Sequence, residues 1–279
     1  MPESVRLAVR KTYKLFIGGA FPRSESGRSY PVRSAAGDFV ANAALASRKD
    51  VRDAVRAARA ASSGWARATA YNRGQILYRV AELLEGRREQ FVAYGVPAAT
   101  VDEAIDRWVW YAGWSDKIAT VYGGANPVAG PYFNISAPEA TGVVGVVAPA
   151  DPLLGLVSVV APAIVTGNTV VVLAAEENPL PAVTLAEVLA TSDLPGGVVN
   201  LLTGRVAEMA PWLASHMDVN ALDLAGVEDA SLAADLERDA AENLKRVLRP
   251  APVDWSDDPG TGRMTAFLET KTVWHPKGV

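Results

Sequence analysis

The chain contains no cysteine, which excludes disulfides, thiolate metal sites and any thiol nucleophile. Histidine is nearly as scarce: His216 and His275 are the only two, and they lie far apart in sequence. Charge of one sign is lacking as well. The net charge is −4, with acidic and basic residues mixed and no basic block, which points away from nucleic acid. The most apolar run, Pro152–Val165, falls short of the roughly 18 residues of a membrane span, and Pro162 interrupts it. The opening stretch, MPESVRLAVRKTYKLF, has no apolar core of a secretory signal. These absences predict a soluble, cytoplasmic protein with no metal site.

What is present is the pattern of a buried parallel sheet. Two continuous Val-rich runs, Gly142–Ala148 and Thr169–Leu173, fit strands covered on both faces. Between them Leu153–Val165 is long enough for the crossover helix that a parallel pair needs. The alternation of strands and helices from Thr141 onward argues an α/β domain, and 279 residues suffice for one large or two modest domains. Open α/β sheets place ligands in the loops at the carboxyl ends of their strands. Here those loops read Pro149-Ala150-Asp151-Pro152 and Ala174-Ala175-Glu176-Glu177-Asn178, which offer few functional groups.

Ahead of this block, Tyr13–Phe21 reads as a short hairpin with glycines at its turn, and Tyr30–Leu45 as a strand pair around Ala36-Gly37-Asp38. Ser47 with Asp50 predicts a capped helix whose apolar stripe is Val51, Ala54, Val55, Ala58 and Trp65. Thr69–Tyr94 reads as one longer helix. Thr100 with Glu103 opens a third, holding Ile105, Trp108, Val109 and Ala112. Trp108, Trp110, Tyr111 and Trp114 sit at helical spacing and are read as packing anchors rather than a ligand box. Gly123–Thr141 carries turn residues around a β-favouring centre, Tyr132-Phe133-Asn134-Ile135. Met264–Lys271 alternates with a period of two and reads as a strand near the end of the chain.

The pattern GVVGVVAP…PAIVTGNTVVV…E.NPL resembles the cofactor-domain signature of the aldehyde dehydrogenase superfamily. LFIGGAF, DVRDAVRAARAASSGWA, RGQILYRVAELLEGRREQF and RWVWYAGWSDKIA extend the resemblance from about Leu15 to Val247. It implies a Rossmann-like parallel sheet flanked by helices, a protruding oligomerisation hairpin at Gly123–Thr141, and a C-terminal strand that joins a sheet of the neighbouring subunit. The implied divisions are an N-terminal part of the cofactor-type domain (1–122), the hairpin (123–141), a Rossmann-like core (142–249), a linker at the site of a missing catalytic domain (250–262) and the end strand (263–279).

The functional positions of the family are largely replaced. Its ribose-binding lysine falls on Leu173, the proline after it on Ala174 and its glutamate on Glu176. Its tryptophan falls on Ala150, and its oxyanion-stabilising asparagine most nearly on Asp151. A carboxylate there repels an oxyanion, so Asp151 is read as a loop or cap residue. Of the glycines near the phosphates, Gly204 matches and the next is lost to Arg205-Val206; Gly226 is kept, but Val227 replaces a serine. Ala241–Val247 is similar to the helix that precedes the general-base motif, yet Leu248-Arg249-Pro250 follows instead. Glu176, Gly204 and Gly226 are the vestigial cofactor positions, and Glu176 reads equally well as a solvated loop carboxylate. Lys271 and His275 read as interface or solvent groups, and no catalytic residue is assigned.

With the nucleophile and the base absent and both oligomerisation elements kept, the expectation is a non-catalytic subunit. It would assemble with itself or with an active aldehyde dehydrogenase, and would need no cofactor. The alternatives are an NAD-binding module and one half of a split NAD(P)-dependent enzyme.

Overall fold

The structure, a computed structural model, describes residues 10–34 and 36–278. β1 (Thr12–Tyr13), β2 (Ser29–Arg33) and β3 (Phe39–Ala44) form a small sheet in the order β1-β3-β2, with the expected β2–β3 pair antiparallel. The predicted turn after β1 is also formed. Gly18 and Gly19 take φ of +62° and +83°, which lets Ile17 and Ala20 exchange hydrogen bonds.

α1 (Arg48–Arg67) begins where the Ser47 N–H donates to the Asp50 carboxylate at 2.7 Å. Its predicted stripe, Val51 to Trp65, is buried. The long helix predicted over Thr69–Tyr94 is two helices, α2 (Ala70–Glu85) and α3 (Arg88–Ala93). Arg87 leaves helical geometry (φ −112°, ψ 9°), and the chain turns so that α3 buries Phe91. α4 (Ala98–Trp114) starts earlier than Thr100: Pro97, which has no N–H to satisfy, holds the cap position. Its inner face is Val101, Ala104, Arg107, Trp108 and Tyr111, while Val109 is exposed. Trp108 and Tyr111 are thus packing residues, as expected.

α5 (Ile118–Tyr122) leads into the hairpin, β4 (Gly124–Asn126) and β5 (Tyr132–Ala140). The central sheet follows: β6 (Val143–Val147), α6 (Leu154–Val165), β7 (Thr169–Leu173), α7 (Leu180–Leu189), β8 (Val199–Leu202), α8 (Val206–Ala214), β9 (Ala221–Asp223), α9 (Ala230–Ala241) and β10 (Arg246–Leu248). Its order is β10-β9-β6-β7-β8, with every pairing parallel. Alternate residues of each strand enter opposite layers. Val144, Val146, Val170 and Val172 pack with α2, α4, α6 and α7, while Val143, Val147, Val171 and Leu173 pack with α1, α8 and α9. A Val run with no polar side is what two covered faces require.

Two expectations fail near the end of the chain. Of Ala241–Val247 only Ala241, the last residue of α9, is helical; Leu244 turns at φ +57°, and Arg246–Leu248 joins the sheet beside β9. Met264–Ala266 is not strand but part of a short helix, α10 (Gly262–Ala266), because Met264 and Phe267 are drawn fully into the core beneath it. β11 (Leu268–Pro276) then pairs antiparallel with β5 of its own chain over nine residues, from Leu268↔Ala140 to Pro276↔Tyr132. The other edge of β11 has no ladder partner among the described residues.

Candidate functional site

The carboxyl ends of β6, β7, β8 and β9 carry the loops in which a cofactor would sit. Leu173 is 0% exposed and packs with α1 and α8, so a core side chain holds the position expected to bind a ribose. Ala174 is equally buried, its N–H bonded to the Leu202 carbonyl at 2.9 Å.

The structure brings Glu176 and Gly204 together around one small cavity, with Tyr30, Leu45 and Arg205 completing the wall. The cavity holds about 40 Å³, room for about one water rather than an adenosine. Arg205 Nη1 approaches Glu176 Oε1 at 3.4 Å, and the Tyr30 hydroxyl donates to the Glu176 carbonyl at 3.2 Å. Burial and the neighbouring Glu176 charge both raise the Tyr30 phenol, which stays neutral and able to donate. This cavity therefore does not enclose a dinucleotide.

Gly226 does not line that cavity. A Cβ added to it would stand 1.9 Å from the Ala148 carbonyl oxygen, so a close backbone approach is enough to require glycine. Val227 faces the core beside α9. Asp151 caps α6, accepting the Leu153 and Gly155 N–H groups at 3.0 Å each, in keeping with its reading as a cap. Lys271 pairs with Glu139 at 3.1 Å across the β5–β11 ladder, and His275 is exposed opposite Phe133. The His216 imidazole accepts the Asp218 N–H at 3.1 Å, and partial burial lowers its basicity. Among the described residues no group of three or more His, Asp or Glu side chains is placed to hold a metal ion.

A second constellation was not legible in the sequence. Segment 252–259 folds over α4 and α6, held by Arg107. That guanidinium donates to Ser158 Oγ (2.8 Å), the Trp255 carbonyl (2.7 Å) and the Asp257 carbonyl (3.0 Å). Arg263 pairs with Asp223, whose carboxyl is fully buried at the end of β9, and its guanidinium lies 5.1 Å from the centre of the Trp255 ring. Burial raises the Asp223 carboxyl although Arg263 pulls it down. The one available signal was an arginine on the otherwise apolar inner face of α4, at position i to Tyr111 at i+4.

The sequence pattern of the aldehyde dehydrogenase family matches residues 21–249. Retinal dehydrogenase 2 of Gallus gallus is 36% identical over 261 residues, covering 88% of this chain and 49% of the relative. Aldehyde dehydrogenase, cytosolic 1, of Elephantulus edwardii is 34% identical over 249 residues, covering 84% and 49%. The NAD+ complex of aldehyde dehydrogenase from Bacillus cereus superimposes with a TM-score of 0.80 at 28% identity, over 85% of this chain and 50% of that one. An NAD-dependent aldehyde dehydrogenase from Sinorhizobium meliloti gives 0.80 at 27% identity, over 88% and 51%. This chain spans about half the length of the relatives it matches. It belongs to the aldehyde dehydrogenase family.

Proposed function

We propose that this chain is a non-catalytic aldehyde dehydrogenase-like subunit that assembles with itself or with an active member of the family through the β11-β5-β4 sheet. The observation that carries this reading is the state of that sheet. Phe133 and Trp274 are each 57% exposed, Ile135 45% and Tyr132 41%. Phe133 and Ile135 share one face with Val273 and His275, while Tyr132 and Trp274 share the other. Large apolar side chains exposed on both faces of one small sheet mark a surface made to be covered. β11 also lies at the sheet edge, so one side of a nine-residue strand has no ladder partner among the described residues.

The replaced positions support the non-catalytic half of the reading. Leu173 stands in the core where the family's lysine falls, and Arg205 and Glu176 close the space beside Gly204. One half of a split enzyme, or an NAD-binding module, needs a working cofactor site at this edge, and these residues do not build one. Co-expression with full-length aldehyde dehydrogenases, followed by size-exclusion chromatography, tests the proposal. Self-association or co-elution is expected, and a strict monomer that ignores such partners overturns it.

A further inference from the structure

We propose that the partner at the β11-β5-β4 sheet is a second copy of this chain, joined edge to edge by antiparallel pairing of β11 with β11 about a two-fold axis at Thr272. This rests on the assembly reading above and names its partner. The bonds at the two ends of the β5–β11 ladder fix which groups are free. The Thr141 N–H donates to the Phe267 carbonyl at 3.2 Å, and the Lys277 N–H to the Pro131 carbonyl at 2.7 Å. In an antiparallel ladder, bonded and non-bonded positions alternate. The odd-numbered residues of β11 therefore bond to β5, while Leu268, Thr270, Thr272 and Trp274 turn their N–H and C=O groups away from it. Thr270, Thr272 and Trp274 are exposed, and no register shift interrupts the nine-residue strand. A long, regular, unpaired edge is a template for another strand.

The sequence of β11 selects one register for pairing with itself, because free groups must meet free groups. An axis at Lys271 sets the two Lys271 side chains directly opposite each other at the close, non-bonded spacing. An axis at Val273 leaves Leu268 and Glu269 with no counterpart in the strand, and axes at Thr270 or Trp274 leave more of it unpaired. An axis at Thr272 uses the whole strand. Thr270 then faces Trp274, Leu268 faces Pro276, and the Glu269 carboxylate faces the His275 imidazole. Pro276 has no N–H, so the Leu268 carbonyl at the ladder's end is the one free group left without a donor. Lys271 lies opposite Val273, where its methylene stem covers the valine. The sheet's other edge, β4, is only Gly124–Asn126, too short for a comparable ladder, so assembly closes at two copies.

Light scattering and spin-label distances on the full chain test this pairing. The parent chain is expected to have the mass of two copies. Because the chain has no cysteine, a nitroxide on Thr272→Cys or Pro276→Cys is the only label in each copy. At 272 the two Cα atoms should lie about 5.5 Å apart, which gives strong dipolar broadening. Position 276 faces position 268, so its two labels should stand about 27 Å apart at about 3.4 Å of rise per residue. Thr272→Pro removes an N–H that faces away from β5. Its unfolding midpoint should change little, while self-association weakens at least roughly tenfold. Lys271→Pro removes a bond to β5 and should lower the midpoint instead. If Thr272→Pro does not fold, the label distances decide. Edge pairing is overturned, with the assembly reading left standing, by an assembly that shows no broadening at 272 or is indifferent to Thr272→Pro. Co-elution with a full-length aldehyde dehydrogenase without self-association does the same. A strict monomer in both settings overturns both.

Discussion

Arg205 Nη1 lies 3.4 Å from Glu176 Oε1, so the carboxylate expected to meet a ribose is turned toward an arginine of its own chain. The same arginine approaches Glu208 at 3.7 Å, at the start of α8, where a helix N-terminus would otherwise face a phosphate. NAD titrated against tryptophan fluorescence should therefore give no saturable change up to about 1 mM. The pair is solvent-exposed and contributes less than about 1 kcal/mol. Arg205→Ser should thus leave stability nearly unchanged and should not restore binding, because Leu173 remains in the core. Saturable quenching by NAD in the parent chain would contradict this.

Backbone contact alone is enough to require glycine at Gly226. A methyl group there meets the Ala148 carbonyl at 1.9 Å and its carbon at 2.5 Å, both fixed backbone atoms at the end of β6. Gly226→Ala is expected to cost about 3 kcal/mol or more in urea unfolding without any nucleotide present. A variant as stable as the parent would refute the packing explanation.

The Asp223–Arg263 pair predicts a pH signature. Burial raises the Asp223 carboxyl above its ordinary value despite Arg263. A raised carboxyl binds more protons folded than unfolded. Its contribution is full below the ordinary carboxylate range and is lost as pH rises through the folded value. Arg263→Met removes the counter-charge and should cost about 3–5 kcal/mol at neutral pH. The gap to the parent should narrow as pH falls toward about 4, where carboxylates protonate. Urea midpoints across that range measure it, and a pH-independent gap would rule out the buried pair as the cause.

The central sheet was legible because its signal is local: Val143–Val147 and Thr169–Leu173 are unbroken apolar runs flanking an apolar helix. The positions aligned with the family's cofactor residues were legible only through resemblance, since Leu173 looks like any core residue. Three boundaries were missed because tertiary packing overrode local pattern. Arg87 breaks a helical stripe so that Phe91 can turn inward. Leu244 ends a helix-like run so that Val247 can join β9. Met264 and Phe267 pull an alternating stretch into a helical turn. The Arg107 constellation was hidden for another reason: the carbonyls that hold Arg107 come from Trp255 and Asp257, about 150 residues away, and no spacing rule links them.

Assembly through the β11-β5-β4 sheet is the central claim, and the mass of the intact assembly by light scattering tests it most directly. The parent chain, alone or co-expressed with a full-length aldehyde dehydrogenase, should elute with a mass above that of one chain. Ile135→Asp, which places a charge on an exposed sheet face, should reduce that mass to the monomer while leaving the unfolding midpoint unchanged. A parent chain that is monomeric under both conditions, or an assembly indifferent to Ile135→Asp, would contradict the account.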